Sequence, residues 1–325
     1  MKTTKVSAYE SKRIRLEEAE LPEITENEVL IESYYTAISP GTELYRIYER
    51  EKENIPGSFP FYPGYSGCGK VIAKGDKVQH LNVGDMVGAP LRHWSHMNIN
   101  TDHCVKLPDN LCPKISAPFK VAAISLYGVA RAEINLGEQV AVIGLGPIGN
   151  LAAQFAVAAG AGKVTGFDYD EQRRKLAEKC GIGATEADCS LEEIHNRYDV
   201  VIEATGNPEA IKTAYRIVGY YGRVILLGSS RGLTNDVDFY QYVHGKGVSL
   251  IGAHVGVWNP KEPGWLGTRQ RKDAEAVFEF LAGKRINIES LISENVKPEN
   301  AQNIYDRLVS RKEPLMLAVY DWKGI

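Results

Sequence analysis

The hydrophobic pattern divides the chain into stretches of two kinds. In the first part, apolar and polar residues partly alternate in EVLIESY, while glycine, asparagine and aspartate interrupt the β-prone runs GYSGCGKVIAKGDKV and LNVGDMVGAP. Alternation with a period of two is typical of half-buried strands, and frequent turn residues keep such strands short. The pattern therefore predicts a barrel-like, β-rich domain over residues 1–117.

The pattern changes near Ile115, where runs that are apolar throughout begin to alternate with helix-like stretches. The strand candidates are VAVIG, KVTGFD, YDVVIEATG, GRVILLG and VSLIGA, and the helix candidates are PIGNLAAQFAVAAGA, EQRRKLAEKCG and PEAIKTAYRIV. Such alternation predicts an α/β domain with a doubly wound parallel sheet, which we assign to residues 118–255. Residues 256–325 end in the strand-like PLMLAVY and are predicted to return to the first domain.

Composition and charge exclude several classes of function. The chain has 325 residues, 44% of them apolar and 24% charged, which is the balance of a globular protein with two domains. Its net charge of −3 gives no reason to expect nucleic acid or a membrane as a partner, and no apolar run approaches the ~20 residues of a membrane helix. Five scattered cysteines and an N-terminus without an apolar signal core predict a cytoplasmic protein.

A glycine pattern follows the first strand of the α/β domain. VAVIGLGPIG places Gly144, Gly146 and Gly149 between a strand and a helix, where glycines permit a tight turn and close approach of a pyrophosphate. Asp168 ends the next strand at the spacing where an acid accepts hydrogen bonds from a ribose diol and repels a 2′-phosphate. Arg173 and Arg174 could favour NADP, but the acid outweighs them. The sequence therefore predicts NAD as the cofactor.

Several motifs in a fixed order resemble the medium-chain dehydrogenase/reductase superfamily of zinc-type alcohol dehydrogenases. These motifs are PGTELY, PGYSGCGKV, VGDMV, VAVIGLGPIG, the FD of KVTGFD, DVVIEATGNPEA and GRVILLG. The resemblance implies a Rossmann domain inserted into a GroES-like catalytic domain, a cleft between them, and a homodimer joined near VSLIGA. It also implies a set of cofactor-binding residues: Gly144, Gly146, Pro147, Ile148, Gly149, Asp168, Arg173, Ala204, Thr205, Gly206, Leu227 and Gly228.

The chain departs from the superfamily at the zinc ligands. Pro40 stands where zinc members carry a cysteine, Tyr65 and Ser66 replace the last two residues of their GHE motif, and the third ligand falls on Lys120. Proline has no side-chain donor and an ammonium repels a dication, so we predict that the catalytic metal is lost. A second possible metal cluster consists of His93, His96, His103 and Cys104. Its spacing matches no standard metal site, so we favour ordinary core and surface roles for these histidines.

Without zinc, alcohol oxidation requires another group to accept the hydroxyl proton. We predict that Tyr65 takes this role, with the Lys120 ammonium beside it lowering the pKa of the phenol, and with Thr42 as a hydroxyl relay. Three alternatives stay open: Lys120 alone with a lowered pKa, His93 as the base, or a Tyr65 that merely fills the space left by the metal.

The same region predicts the substrate. Four residues are expected to contact it: Tyr45, Arg46, His93 and Trp94. The glycine- and proline-rich residues 256–270, with Trp258 and Trp265, could form a lid. The predicted function is zinc-independent, NAD-dependent dehydrogenation of a secondary alcohol in a sugar, polyol, cyclitol or other ring-bearing substrate. The SPGTEL corner resembles bacteriochlorophyllide dehydrogenases within the superfamily. The alternatives are an enoyl or quinone reductase, or a nucleotide-binding protein without catalysis.

Overall fold

The computed structural model describes residues 1–49, 59–256 and 265–325, and excludes the side chains of residues 265–268. The chain divides into two units, which we call the terminal unit and the central unit. The terminal unit comprises Met1–Val121, Gly267–Gly283 and Leu291–Ile325, and the central unit comprises Ala122–Leu266 and Lys284–Ser290. Both chain ends therefore contribute to one unit.

The strands are named in chain order. They are β1 (Lys2–Glu10), β2 (Arg13–Glu20), β3 (Glu28–Ile38), β4 (Gly67–Lys74), β5 (Met86–Ala89), β6 (His96–Asn100), β7 (Val105–Lys106), β8 (Gln139–Ile143), β9 (Lys163–Phe167), β10 (Ala184–Glu186), β11 (Tyr198–Glu203), β12 (Val218–Leu226), β13 (Ser249–Gly252), β14 (Ile292–Val296) and β15 (Leu317–Asp321).

The α-helices are named in the same way. They are α1 (Pro40–Leu44), α2 (Pro113–Ser116), α3 (Phe119–Ala132), α4 (Pro147–Ala158), α5 (Glu171–Lys179), α6 (Pro208–Ile217), α7 (Trp265–Ala282) and α8 (Ala301–Ser310).

The central unit contains a parallel sheet of six strands in the order β10-β9-β8-β11-β12-β13. Helices α4, α5 and α6 pack against these strands, and aromatic side chains such as Phe167, Tyr198 and Tyr215 lie in the core. The predicted alternation of apolar strands and helices, and the parallel sheet that it implies, are confirmed. The carboxyl ends of β8, β9, β11 and β12 carry the predicted cofactor residues.

The terminal unit contains a seven-stranded sheet in the order β14-β15-β3-β4-β5-β7, in which β6 also pairs with β3. Strand β15 runs antiparallel to β3, with Ala318 opposite Ile38, so the chain end lies beside the strand that leads into PGTELY. Buried side chains from both ends of the chain, including Ile38, Tyr305 and Trp322, form one core cluster. This packing is the predicted return of the last segment to the first domain.

Two expectations from the sequence concern the predicted lid and membrane-spanning helices. Residues 257–264 of the predicted lid, including Trp258, lie outside the described residues, as does the side chain of Trp265. Among the helices of the described ranges, none combines the length and the apolar character that crossing a membrane requires.

Candidate active site

The glycine turn of the central unit is shaped by close backbone packing. Gly144 adopts a φ of 88°, which disfavours side chains, and a Cβ on Gly149 would lie 1.7 Å from the carbonyl oxygen of Gly144. Helix α4 begins at Pro147, where the fixed φ of proline suits a first helical turn. A Cβ on Gly146, in contrast, would meet no heavy atom within 4 Å. The turn is therefore tight at two glycines and open at the third, beside the helix N-terminus.

Asp168 lies against this turn. Its Oδ2 accepts a hydrogen bond from the backbone N–H of Leu145 at 2.8 Å, and its Oδ1 accepts one from the N–H of Asp170 at 3.0 Å. The guanidinium of Arg173 reaches the same carboxylate at 3.5 Å, and Arg174 donates to the Asp168 carbonyl at 2.6 Å. The acid and its neighbouring arginines therefore lie beside the glycine turn.

A buried glutamate organises the loop after β11, and the sequence analysis did not identify it. The Oε1 atom of Glu203 accepts hydrogen bonds from the hydroxyl and N–H of Thr205 and from the N–H of Gly206, and burial raises the pKa of its carboxyl. Its backbone carbonyl accepts the N–H groups of Leu227 and Gly228. A glutamate that directly follows the apolar run VVI, residues 200–202, was the available signal.

The remaining predicted cofactor residues belong to these three loops and to the loop after β12, which carries Leu227 and Gly228. Ala204 donates its N–H to the carbonyl of Ile143, and the carbonyl of Ile148 accepts the hydroxyl of Ser125 at 2.8 Å. The central unit thus brings all the predicted cofactor residues to the carboxyl ends of neighbouring parallel strands. That edge of such a sheet is where dinucleotides bind.

The second candidate cluster lies in the terminal unit and centres on Tyr65. The Tyr65 hydroxyl donates to Ser39 Oγ at 2.7 Å. Burial and the nearby Glu43 carboxylate raise the pKa of Tyr65 to about 12, while hydrogen bonds with Ser39 and Thr42 act in the opposite direction. Tyr65 is therefore a neutral phenol at physiological pH, held between two hydroxyl groups.

The expected coupling between Tyr65 and Lys120 is wrong in direction, because the pKa of the phenol is raised and not lowered. The Lys120 ammonium donates to Gln270 Oε1 at 3.3 Å, whereas the Tyr65 hydroxyl donates to Ser39. The two side chains therefore have different hydrogen-bond partners. Burial lowers the pKa of Lys120, which is the direction that the alternative of Lys120 as sole base requires.

The positions that the resemblance assigns to zinc ligands carry Pro40, Tyr65, Ser66 and Lys120. Pro40 has no side-chain donor atom, Tyr65 is a neutral phenol, and the hydroxyl of Ser66 donates to the Ala117 carbonyl at 2.5 Å while accepting the N–H of Lys120. Ser66 thus holds the start of α3. Across the described ranges, no group of three or more histidine, cysteine or acidic side chains is arranged to hold a metal ion, and this includes the predicted alternative with His96, His103 and Cys104.

His93 is fully buried, so the prediction that it contacts substrate is corrected. Its Nδ1 lies 2.8 Å from Thr36 Oγ1, and its Nε2 lies 3.2 Å from Glu43 Oε2. Glu43 is itself only 1% exposed. The sequence analysis quoted Glu43 within PGTELY without assigning it a role, because its partner lies 50 residues further along the chain.

The other predicted substrate residues lie nearer the surface of the terminal unit. Tyr45 and Arg46 follow α1 in a single helical turn, and the Arg46 guanidinium lies 4.7 Å from the centre of the Phe61 ring. Trp94 contacts other side chains, with Lys5 Nζ 4.0 Å from its ring centre and the Tyr62 ring edge-on at 5.8 Å. The structure therefore separates Trp94 from His93 in environment, although they are adjacent in sequence.

Comparison with known proteins gives a consistent result. The model of the alcohol dehydrogenase GroES-like domain matches residues 25–157, and that of the zinc-binding dehydrogenases matches residues 147–266. The sorbitol dehydrogenase of Bombyx mori is 30% identical over 261 residues, which cover 66% of this chain and 74% of that protein.

Solved structures show the same fold. Galactitol-1-phosphate dehydrogenase from Escherichia coli matches with a TM-score of 0.84 and 20% identity, over 98% of this chain and 99% of that one. A protein described as a zinc-binding dehydrogenase from Sinorhizobium meliloti 1021, bound to NADP, matches with a TM-score of 0.83 and 21% identity over 99% of both chains. At this identity the likeness establishes the fold alone, and it confirms the predicted GroES-like and Rossmann domains.

Proposed function

Because the chain belongs to the zinc-type medium-chain dehydrogenase/reductase superfamily, we propose that it transfers a hydride between NAD and a secondary alcohol or its ketone without a catalytic zinc ion. The relatives named above are oxidoreductases that act on CH–OH groups, and the chain shares that reaction class. The observation that carries the proposal is the glycine turn, which is open at Gly146 and flanked by the Asp168 carboxylate.

The choice of NAD rests on Asp168. A carboxylate at the end of β9 accepts hydrogen bonds from a ribose diol and repels a 2′-phosphate. Arg173 pairs with this carboxylate and with Asp170, which leaves less of its charge for a phosphate. Since one structural relative was solved with NADP, the preference is a property to be measured for this chain.

The proposed chemistry uses the Tyr65 hydroxyl as the proton donor in ketone reduction. NAD, when bound, supplies or accepts the hydride. Tyr65 gives its proton to the carbonyl oxygen, and the resulting phenolate is stabilised by the hydroxyls of Ser39 and Thr42 until solvent returns a proton. In the reverse direction the phenolate accepts the alcohol proton. The raised pKa of Tyr65 makes that form scarce at neutral pH, so oxidation should gain rate as the pH rises.

Zinc independence is supported by the residues at the former ligand positions. Pro40, Tyr65 and Lys120 provide no anionic or imidazole donor, and zinc sites in proteins are built from thiolate, imidazole and carboxylate groups. Lys120 remains the alternative proton acceptor, because burial lowers its pKa. The two candidates differ in how the oxidation rate should depend on pH.

The proposed substrate is a polyol, sugar or cyclitol. The names of the relatives, a sorbitol dehydrogenase and a galactitol-1-phosphate dehydrogenase, support a polyhydroxylated substrate. Tyr45, Arg46 and Trp94 are the proposed substrate contacts. The rings of Tyr45 and Trp94 suit the apolar face of a sugar ring. A larger ring-bearing alcohol, such as the tetrapyrrole alcohols of bacteriochlorophyllide dehydrogenases, is the narrower variant of the proposal.

We further propose a cytoplasmic homodimer. The outer strand β13 exposes Leu250, and Tyr220 and Tyr221 of the neighbouring β12 are also exposed. An edge strand with apolar side chains is suited to pairing with a second copy. The molar mass measured by light scattering tests this, and Leu250→Glu should favour the monomer. The unpaired cysteines support a reducing compartment.

The decisive experiment measures reduced nicotinamide when the purified chain is given NAD or NADP with sorbitol, galactitol 1-phosphate, a cyclitol or a simple secondary alcohol. We expect NAD-dependent oxidation of at least one polyhydroxylated substrate, and NADH-dependent reduction of its ketone. A chain that ignores all of these but reduces an enone or a quinone with NADPH is the alternative reductase. Binding of NADH without turnover of any substrate would indicate the non-catalytic alternative.

A further inference from the structure

Behind Tyr65, the terminal unit contains a buried acid–histidine couple, Glu43 and His93. Glu43 is 1% exposed and His93 is 0% exposed, and their side chains meet at 3.2 Å. They come from separate parts of the chain: Glu43 lies in α1, and His93 lies in the loop between β5 and β6. A buried carboxylate is costly unless donors surround it, so its partners indicate what the fold gains from it.

Three donors surround the Glu43 carboxylate. The N–H of Ser39 donates to Oε1 at 2.9 Å, while the hydroxyl of Tyr305 and the Nε2 of His93 meet Oε2. An ionised carboxylate only accepts hydrogen bonds, and here every partner can donate. Within the described residues, the only ion-pair partner of Glu43 is His93. The couple therefore holds its charge with hydrogen bonds and not with a lysine or arginine.

The other side of the imidazole fixes its tautomer. Thr36 Oγ1 accepts the indole N–H of Trp322 at 2.8 Å and lies 2.8 Å from His93 Nδ1. The hydroxyl has a second lone pair, but if it accepted from Nδ1 as well, its own buried proton would lose the acceptor that Nδ1 offers at 2.8 Å. We assign Nδ1 as the acceptor and Nε2–H as the donor to Glu43. His93 is then neutral, and the couple carries one negative charge.

This charge lies next to the candidate proton donor. Glu43 holds the backbone of Ser39, and Ser39 Oγ accepts the hydrogen bond of Tyr65, so the carboxylate is connected to the phenol through one residue. The titratable groups that face the couple from other elements are Tyr305 of α8 and Tyr320 of β15; burial and the Glu43 carboxylate raise their pKa values, so both stay neutral.

We propose that Glu43 and His93 are positioning residues that fix Ser39, and through Ser39 the Tyr65 hydroxyl, and that their negative charge disfavours the phenolate form of Tyr65. The inference rests on the proposed function, because it assigns the couple to the same reaction. A purely structural network would stabilise the terminal unit without affecting Tyr65. The two possibilities therefore differ in what happens to the phenol when the charge is removed.

The test is the ionisation of Tyr65, followed by NMR with tyrosine labelled at the ring Cζ and with Tyr65→Phe identifying the resonance. In the unmodified protein, less than about a tenth of Tyr65 should be ionised near pH 10.5, where an ordinary phenol is mostly ionised. In Glu43→Gln, which removes the charge with little change of shape, the midpoint should move to a measurably lower pH. An unchanged midpoint in folded Glu43→Gln overturns the proposal.

Thr36→Val is the matched control. It disrupts the far side of the same network, leaving the Trp322 indole and His93 Nδ1 without their partner, but it keeps the Glu43 charge. We expect a lower melting temperature and an unchanged Tyr65 midpoint. If Thr36→Val moves the midpoint as far as Glu43→Gln does, the effect is general loosening and the proposal fails.

A pair of histidine variants keeps the proposal testable if Glu43→Gln does not fold. The amide nitrogen of glutamine can stand in for Nε2, and that of asparagine for Nδ1, so His93→Gln keeps the donor to Glu43 and His93→Asn loses it. Turnover should fall by about 10- to 100-fold more in His93→Asn, with the Kd of NADH unchanged in both. Equal losses would contradict the assignment.

The outcomes separate this inference from the proposed function. The titration requires no substrate, so a protein that oxidises no alcohol can still show the Tyr65 midpoint moving in Glu43→Gln. In that case the couple stands and the proposed reaction fails. Conversely, an active dehydrogenase whose Tyr65 midpoint does not respond to Glu43→Gln keeps the reaction and loses the couple.

Discussion

The glycine turn of the central unit and the PGTELY corner of the terminal unit both join a strand to a helix with a proline at the first helical position. At the glycine turn, the backbone does the shaping, and the space beside Gly146 stays open. At the PGTELY corner, a side chain shapes the turn. The Glu43 carboxylate accepts the N–H of Ser39 and is buried against its other partners, Tyr305 and His93.

The difference separates two kinds of functional site. A backbone cradle depends on which residues lack a side chain, and this is written locally in the sequence. A side-chain network depends on partners that the fold brings from far away, here His93 and Tyr305 for Glu43. We therefore expect changes at the glycine turn to act on cofactor binding, and changes at the corner to act on proton transfer.

The largest effect should come from Tyr65→Phe. Removing the hydroxyl removes the proposed proton donor, so turnover should fall by about 10²–10⁴-fold, as for the loss of a general acid or base. NADH binding should be unchanged, because the hydroxyl bonds to Ser39 in the terminal unit. Steady-state kinetics and fluorescence titration with NADH measure the two quantities. Tyr9→Phe, at an exposed ring, is the control, and near-full turnover in Tyr65→Phe would mean that the ring is only packing.

The pH dependence of oxidation should distinguish Tyr65 from Lys120. Because the pKa of Tyr65 is raised to about 12, its phenolate is the minor form below that pH. The phenolate fraction grows tenfold per pH unit, so oxidation should rise about 100-fold from about pH 7 to pH 9, while reduction stays nearly level. If Lys120 is the base, its lowered pKa should make oxidation level off below the ordinary lysine value of about 10.4.

Two alanine substitutions should distinguish the tight backbone packing at Gly149 from the open space at Gly146. Gly149→Ala would place a Cβ 1.7 Å from a carbonyl oxygen, so the turn must shift, and the free energy of unfolding should fall by about 1–3 kcal/mol or more. Gly146→Ala meets open space at a φ of −60°, so stability should hold.

Cofactor binding is the second measurement on this pair. In Gly146→Ala the methyl group would occupy the space that we assign to the pyrophosphate, so NADH affinity should fall by about 1.5–3 kcal/mol, the contribution of hydrogen bonds to a charged group. Unchanged affinity in Gly146→Ala, measured by calorimetry, would show that the phosphates lie elsewhere.

Asp168→Ala should change cofactor choice by a smaller amount. It removes the proposed acceptor for the ribose diol, so NAD affinity should fall by about 1–3 kcal/mol, and it removes repulsion of a 2′-phosphate, so NADP affinity should rise. It also frees Arg173, which pairs with Asp168 at 3.5 Å. Asp170→Ala is the control, since Asp170 caps α5 and its loss should affect stability more than cofactor choice. An unmodified protein that already prefers NADP contradicts the assignment.

The same comparison explains how much was predictable. The strands and helices of the central unit follow from apolar runs and glycine turns, because the inner parallel strands β8, β9 and β11 are buried along most of their length. The tight turn at Gly144 and Gly149 followed as well, since a short glycine motif specifies a turn. Glu203 was missed, although it ends an apolar strand, because the pattern does not reveal that its carboxylate bonds to Thr205 and Gly206.

Prediction was weakest at the PGTELY corner. Tyr65 and Lys120 were expected to converge because both replace ligands of one metal, but a lysine has four flexible carbons, and its ammonium reaches Gln270. Side chains at positions that correspond to the ligands of one metal need not end at the same place. His93 was assigned to the substrate from its place in the sequence, whereas its burial depends on Thr36, Glu43 and the Tyr320 ring.

The smallest expected effect is that of removing metal ions, and it tests the difference between the two regions most directly. Protein purified without a chelator should contain far less than stoichiometric zinc by elemental analysis, and EDTA should leave NAD-dependent turnover intact. The reason is the donor set, in which a proline, a neutral phenol and a lysine replace thiolate and imidazole. A zinc-dependent alcohol dehydrogenase treated in parallel is the control for the chelator. Stoichiometric zinc, lost together with activity in EDTA, would show that the corner binds a metal through other residues, and the proton-donor role of Tyr65 would then lose its basis.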